Sequence, residues 1–103
     1  PKDVLLSNWY YGQNFSTENV RARAYIELEK HGYDQVPTGS NHFTHLPRSF
    51  EMSVDFCREQ IAPERLLGFL QAPWKTTTED FRTHHIKAIE QVAAAKQAFE
   101  AAQ

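Results

Sequence analysis

The feature that most constrains this chain is an order of segments that repeats. Three times, about 31 residues apart, an apolar strand-like run leads into a loop of aromatics and amides and then into a helix-like segment. The junctions are Ser7-Asn8-Trp9-Tyr10-Tyr11-Gly12, Thr38-Gly39-Ser40-Asn41-His42-Phe43 and Gln71-Ala72-Pro73-Trp74. The order β-α-β-α-β-α predicts parallel strands joined by crossover helices. All three junctions then fall at the C-terminal end of one sheet, where α/β folds keep their ligand sites.

The first unit, residues 3–32, opens on a buried strand over Val4 to Trp9. Ser16 or Thr17 is the expected cap of its helix, with Val20, Ala24, Tyr25 and Leu28 on the apolar face. Gly32 followed by Tyr33 reads as a Schellman stop. The second unit, residues 33–63, has the weakest strand, Tyr33 to Thr38, because Pro37 lacks the N–H of a central strand. Pro47 precedes a helix whose stripe is Phe50, Val54, Cys57 and Ile61, and Pro63 closes it.

The third unit, residues 64–103, has a strand over Arg65 to Leu70 with Gly68 inside it. Thr76-x-x-Glu79 or Thr77-x-x-Asp80 offers a capping box. The last helix is expected to turn Phe81, His85, Ile89 (or Ala88), Val92 and Phe99 to the core.

Three parallel strands alone leave both sheet edges open and lack the cover that parallel sheets carry on both faces. A (β/α)8 barrel of roughly 250 residues repeats at the same interval. The simplest reconciliation is that these units are the closing part, units six to eight, of a TIM-type barrel. The competing architecture is a complete small three-layer α/β domain, or one that completes itself by oligomerising. The chain begins at Pro1 rather than Met, as a processed, excised or incomplete chain would.

Composition excludes some functions. With 103 residues there is room for a single domain. A formal charge of -2 and no basic cluster argue against a dedicated nucleic-acid binder. No apolar run approaches the roughly 18 residues of a membrane span. A single cysteine, Cys57, rules out an internal disulfide.

Loops are usually polar, yet Trp9, Tyr10, Tyr11, Phe15, Phe43 and Trp74 all lie on or just after strand ends. Exposed rings there would make a stacking platform for the C–H face of a sugar. Asn8, Gln13, Ser40, Asn41, His42 and Gln71 would bond its hydroxyls. The alternative is that the rings pack beneath the loops, a reading that fits Tyr10, Tyr11 and Phe15 better than Trp9 and Trp74, which close strands. Trp9, Tyr10, Asn41, His42, Gln71 and Trp74 are the candidate ligand contacts.

A glycosidase usually needs two carboxylates flanking the scissile bond. Asp3, Asp34 and Glu64 fall at or before strand starts, and the other ten acidic residues fall on predicted helices. No catalytic residue is therefore assigned within this chain; acid and base are expected from elsewhere in a parent chain. His42-x-x-His45 lacks an evident third ligand, so no metal site and no cofactor are expected. His84-His85 lies on a helix, and Cys57 on the apolar stripe is a packed thiol. Thr38-Gly39-Ser40-Asn41-His42 lacks the second glycine of a hydrolase elbow.

At these junctions the chain resembles the closing third of the barrel of β-N-acetylhexosaminidase-type glycoside hydrolases, over about residues 3 to 75. In that family a tryptophan lining the sugar pocket ends the sixth strand, the place of Trp9. A Gly-aromatic turn like His31-Gly32-Tyr33 enters the seventh strand, which leads into a loop like Ser40-Asn41-His42-Phe43. The eighth strand carries a glycine and a tryptophan spaced as Gly68 and Trp74 are. Two departures mark a divergent member. Phe43 stands nearest to the family's tyrosine for the acetamido group, and Lys75, Thr76 and Thr77 follow Trp74 in place of an acidic residue.

The resemblance implies a carbohydrate ligand, catalytic carboxylates on strand four outside this chain, and a secreted or periplasmic setting. The implied partner is the remainder of the parent barrel or another copy of the chain, with no nucleic acid and no membrane. A non-catalytic carbohydrate-binding protein and a self-contained α/β interaction domain remain as alternatives.

Overall fold

The structure, a computed structural model, describes residues 3–102. The starting Pro1 and the final residue of the third predicted unit, Gln103, lie outside them. The described residues form a small mixed α/β fold with three helices and short parallel strands. In chain order these are β1 (Leu5–Leu6), α1 (Val20–Lys30), β2 (Asp34–Gln35), β3 (Thr38–Gly39), α2 (Ser49–Gln60), β4 (Leu70–Gln71) and α3 (Arg82–Ala101). A 3-10 turn, Glu79–Phe81, leads into α3.

β2 and β3 are two halves of one extended path, parted at Val36-Pro37. Pro37 has no N–H for the ladder, but its carbonyl still accepts from Leu70, and Val36 N–H reaches Leu6 O. This middle path pairs with β1 on one side (Leu5 with Asp34, Leu6 with Gln35, then Trp9 with Thr38). On the other side it pairs with the last strand (Gln35 with Leu66, Thr38 with Leu70, Gly39 with Gln71). Every pairing is parallel, and the spatial order follows the chain order.

The last strand spends one residue more than its partner: Gln35 to Thr38 spans the same length as Leu66 to Leu70. The extra residue is a β-bulge around Leu67-Gly68. It lets Leu66 and Phe69 both turn to the core while Leu70 turns away.

Helix ends follow local chemistry. The predicted stop of α1 is present: Gly32 takes φ +78°, Tyr33 N–H bonds Leu28 O, and Gly32 N–H bonds Glu29 O, a Schellman motif. The start differs. Asn19, not Ser16 or Thr17, caps α1, its side chain accepting from Arg21 N–H. The buried face is correspondingly Ala22 and Tyr25, and Val20 is exposed. At the start of α2, the Gln13 side-chain oxygen accepts from Arg48 N–H at 2.7 Å, and Ser49 Oγ donates to Gly12 O. The capping box expected at Thr76 or Thr77 does not form; Thr78 precedes the turn and gives no side-chain cap.

All three helices cover the same sheet face. Gln35, fully buried, donates from Nε2 to the Tyr25 carbonyl of α1, while Gln71, in register with Gly39, reaches the Ala88 carbonyl of α3. α2 lies between α1 and α3. The core is Tyr10, Ala22, Tyr25, Phe56, Cys57 and Ile61, with Phe15, Leu66 and Phe69 packed against it. The predicted α2 stripe, Phe50, Val54, Cys57 and Ile61, is buried throughout. At the strand-start end, Arg65 clasps Glu29 through two hydrogen bonds, which hold the Glu29 carboxyl below its usual range.

α3 follows expectation at Ala88 and Phe99 and departs from it at Ile89. Only Ala88 is buried, and the contacts run through His84, Ala88, Gln91 and Phe99; Ile89 (69% exposed) faces outward. The helix carries two apolar stripes, and the sheet uses one.

Phe50 comes so close to the sheet that a Cβ on Gly39 would sit 2.7 Å from its ring, with Phe50 Cα only 3.6 Å away. Gly39→Ala is expected to cost about 1–3 kcal/mol by overpacking. Urea denaturation of the variant checks this.

Candidate functional site

The parallel register brings the three junctions to one end. There the Trp9 and Trp74 rings meet at 5.5 Å between centroids with a 55° tilt. Tyr11 lies nearly parallel to Trp9 at 6.4 Å, and its hydroxyl accepts from Trp74 Nε1–H at 2.7 Å. Both indoles stay more than half exposed, Trp9 at 56% and Trp74 at 51%.

Strand alternation explains who joins this cluster. Leu5, Ser7 and Trp9 share the face away from the helices, and Leu70 of the last strand, opposite in phase to Gln71, joins them there. Leu5 and Leu70 are each more than half exposed. The opposite phase sends Tyr10 into the core, where it packs edge-on to Phe15. Its hydroxyl accepts from Asn14 N–H and Asn19 Nδ2, which steadies the α1 cap. Tyr10 is thus on the far side of the sheet from Trp9.

The predicted amides also turn toward the helices. Asn41 donates from Nδ2 to His84 O at 3.0 Å, and Gln71 donates to Gln91 Oε1 at 2.7 Å. The side-chain carbonyl oxygen of each amide is buried without a partner. His42 N–H donates to Ser40 Oγ, its ring packs edge-on to Phe43, and its Nδ1 is buried without a partner. Of the six predicted contacts, the structure brings Trp9 and Trp74 together and takes Tyr10, Asn41 and Gln71 into packing with the helix layer.

Two groups beside the indoles escaped the sequence reading. Tyr11 was grouped with the packing rings, although its spacing of two from Trp9 already placed both on one side. The Ser7 and Thr38 hydroxyls bond one another on the Trp9 face. Here too the signal was alternation, with Ser7 two residues before Trp9.

Trp74 has φ +57°, a left-handed conformation that is a genuine outlier for a bulky residue and costs roughly 1–3 kcal/mol. The flanking carbonyls are held: His84 Nε2 bonds Pro73 O and His85 Nε2 bonds Thr76 O, each at 3.0 Å. Lys75 lies over the Phe81 ring.

No Asp or Glu occurs in residues 7–12, 38–43 or 71–76. Among the described residues, no three His, Cys, Asp or Glu side chains converge as a metal site would require. An apolar groove of about 420 Å3 lies elsewhere, between α2, the last strand and the C-terminal half of α3, lined by Phe50, Val54, Leu67, Phe69, Val92 and Phe99. Its charged groups, Lys96 and Glu100, pair with each other. Compared with family models, curated proteins and solved structures, the chain matches none.

Proposed function

We propose that this chain is the closing part of a TIM-type (β/α)8 barrel, a divergent relative of the β-N-acetylhexosaminidase-type glycoside hydrolases. In this reading Trp9 and Trp74 form a sugar-binding wall at its mouth. The observation that carries the reading is the pair of touching, half-exposed indoles at the C-terminal end of a parallel sheet. Apolar surface of that size, fixed in position, is what the face of a pyranose stacks on.

The sequential strand order and the helices gathered on one face are the arrangement of barrel units. The bare opposite face then becomes the barrel interior. The carboxylates that glycoside hydrolysis needs come from upstream strands, and this chain alone binds without turning over. Ser7, exposed on the Trp9 face with its hydroxyl bonded to that of buried Thr38, offers a polar group for sugar hydroxyls.

Titrating the chain with soluble cello-, chito- and xylo-oligosaccharides, followed by tryptophan fluorescence, tests this reading. Trp9→Ala and Trp74→Ala are each expected to weaken binding at least tenfold, about 1.4 kcal/mol. Both rings are largely exposed, so the melting midpoint should hardly move. Variants that bind as the wild type does while losing stability would defeat the wall in favour of packing. The gene's full product should hydrolyse aryl glycosides, and the same substitutions should suppress that turnover.

A further inference from the structure

Trp74 combines three properties that rarely coincide. It is bulky, more than half exposed, and held at φ +57°. Exposed residues relax out of strained backbone unless their surroundings fix them. Here three contacts do so. Tyr11 Oη accepts the indole N–H, His84 Nε2 donates to the carbonyl just before Trp74, and His85 Nε2 donates to the Thr76 carbonyl two residues after it. The two imidazoles are neighbours in the first turn of α3 and point to opposite ends of the same loop. Asn41 in turn bonds the His84 carbonyl, so the second junction is tied to the same helical turn.

We propose that Tyr11, His84 and His85 are positioning residues that preorganise Trp74 as a ligand-contact ring and fix its tilt against Trp9. The ligand part of this inference rests on the sugar-wall reading; the positioning part does not. Tyr11 is the central member. Its ring lies almost parallel to Trp9 and its hydroxyl holds Trp74, so one side chain sets the relative placement of both indoles. The two indoles, tilted by 55° and each more than half exposed, offer the apolar surface on which the C–H face of a pyranose stacks. Preorganisation of this kind favours binding by removing the cost of ordering a large side chain.

Two indoles this close and tilted generate an exciton couplet in the far-ultraviolet circular dichroism, a readout of their geometry that needs no ligand. Tyr11→Phe keeps the ring and removes the hydroxyl. It is expected to reduce the couplet to below about half, and to weaken oligosaccharide binding roughly tenfold, with an unchanged melting midpoint. His84→Ala/His85→Ala should reduce the couplet likewise, with His84→Gln/His85→Gln restoring part of it through the amide N–H. Trp74→Gly should melt higher than Trp74→Ala, because glycine takes the left-handed backbone freely.

A couplet unchanged in Tyr11→Phe and in the double alanine variant overturns the brace. A couplet that falls while no oligosaccharide binds even the wild type upholds the brace and removes the sugar-wall reading. Sugar binding by the wild type with an unaffected couplet in Tyr11→Phe does the reverse.

Discussion

Between pH 9 and pH 12 the folded chain is expected to lose several kcal/mol of stability, enough to threaten the fold. The cause lies in two acids in one core. Tyr25 and Cys57 have no exposed surface. Burial pushes the Cys57 thiol up from 9.0 to about 12, and burial, helped by the nearby thiol, pushes the Tyr25 phenol higher still. The unfolded chain releases both protons at ordinary values while the folded chain keeps them. Above pH 9 the unfolded state therefore binds fewer protons, and stability falls as pH rises. Each group contributes a slope of about 1.4 kcal/mol per pH unit across its window. Domains of this size have only about 5–15 kcal/mol in total.

Urea denaturation at stepped pH, followed by circular dichroism, measures that slope. Cys57→Ala should flatten it from pH 9 upward, and Tyr25→Phe only from about pH 10, where a free phenol begins to ionise. A wild-type slope no steeper than that of the double variant would contradict the assignment. The same burial makes Cys57 inert: a thiol reagent should label it only after urea is added.

The parts of the fold legible in the sequence are those fixed by short-range chemistry. The α2 stripe was clear because four apolar residues at helical spacing meet one continuous core. The α1 stop was clear because a left-handed position wants glycine. The α1 start was misread because three capping residue types, Ser16, Thr17 and Asn19, stand close together. Which one caps depends on Tyr10, whose hydroxyl holds the Asn19 amide from another element. The α3 face was legible at Ala88 and Phe99 but left open between Ala88 and Ile89, because its apolar residues form two stripes and only packing chooses between them. The bulge at Leu67-Gly68 left a glycine as its sole trace.

The site was half legible for a related reason. That large rings end strands was visible in the residues; which way each ring points was not applied. Strand alternation separates Trp9 and Tyr11 from Tyr10, and this was available in principle. The partners of Asn41 and Gln71 were not, because both lie on α3, reached only through the fold. The left-handed turn at Trp74 leaves no sequence mark, since no glycine or asparagine stands there.

The sheet face opposite the helices supplies the second large expected effect. Leu5 and Leu70 stand more than half exposed on it, on the same face as Trp9. In the chain by itself, Leu5→Lys and Leu70→Lys should each change stability by no more than about 0.5 kcal/mol, as exposed substitutions do. A barrel interior is filled by layers of packed side chains. If the chain closes a barrel, the same lysines in the gene's full product would be buried charges without partners, costing about 3–5 kcal/mol each. Loss of soluble full product, with the chain itself tolerating both lysines, is therefore the barrel outcome. Equal tolerance in both contexts removes the barrel reading. Strong destabilisation of the chain itself, accompanied by loss of a dimer in sedimentation, would make the covering surface a second copy. The three outcomes separate because the same side chains meet water, a packed interior or another copy of this face.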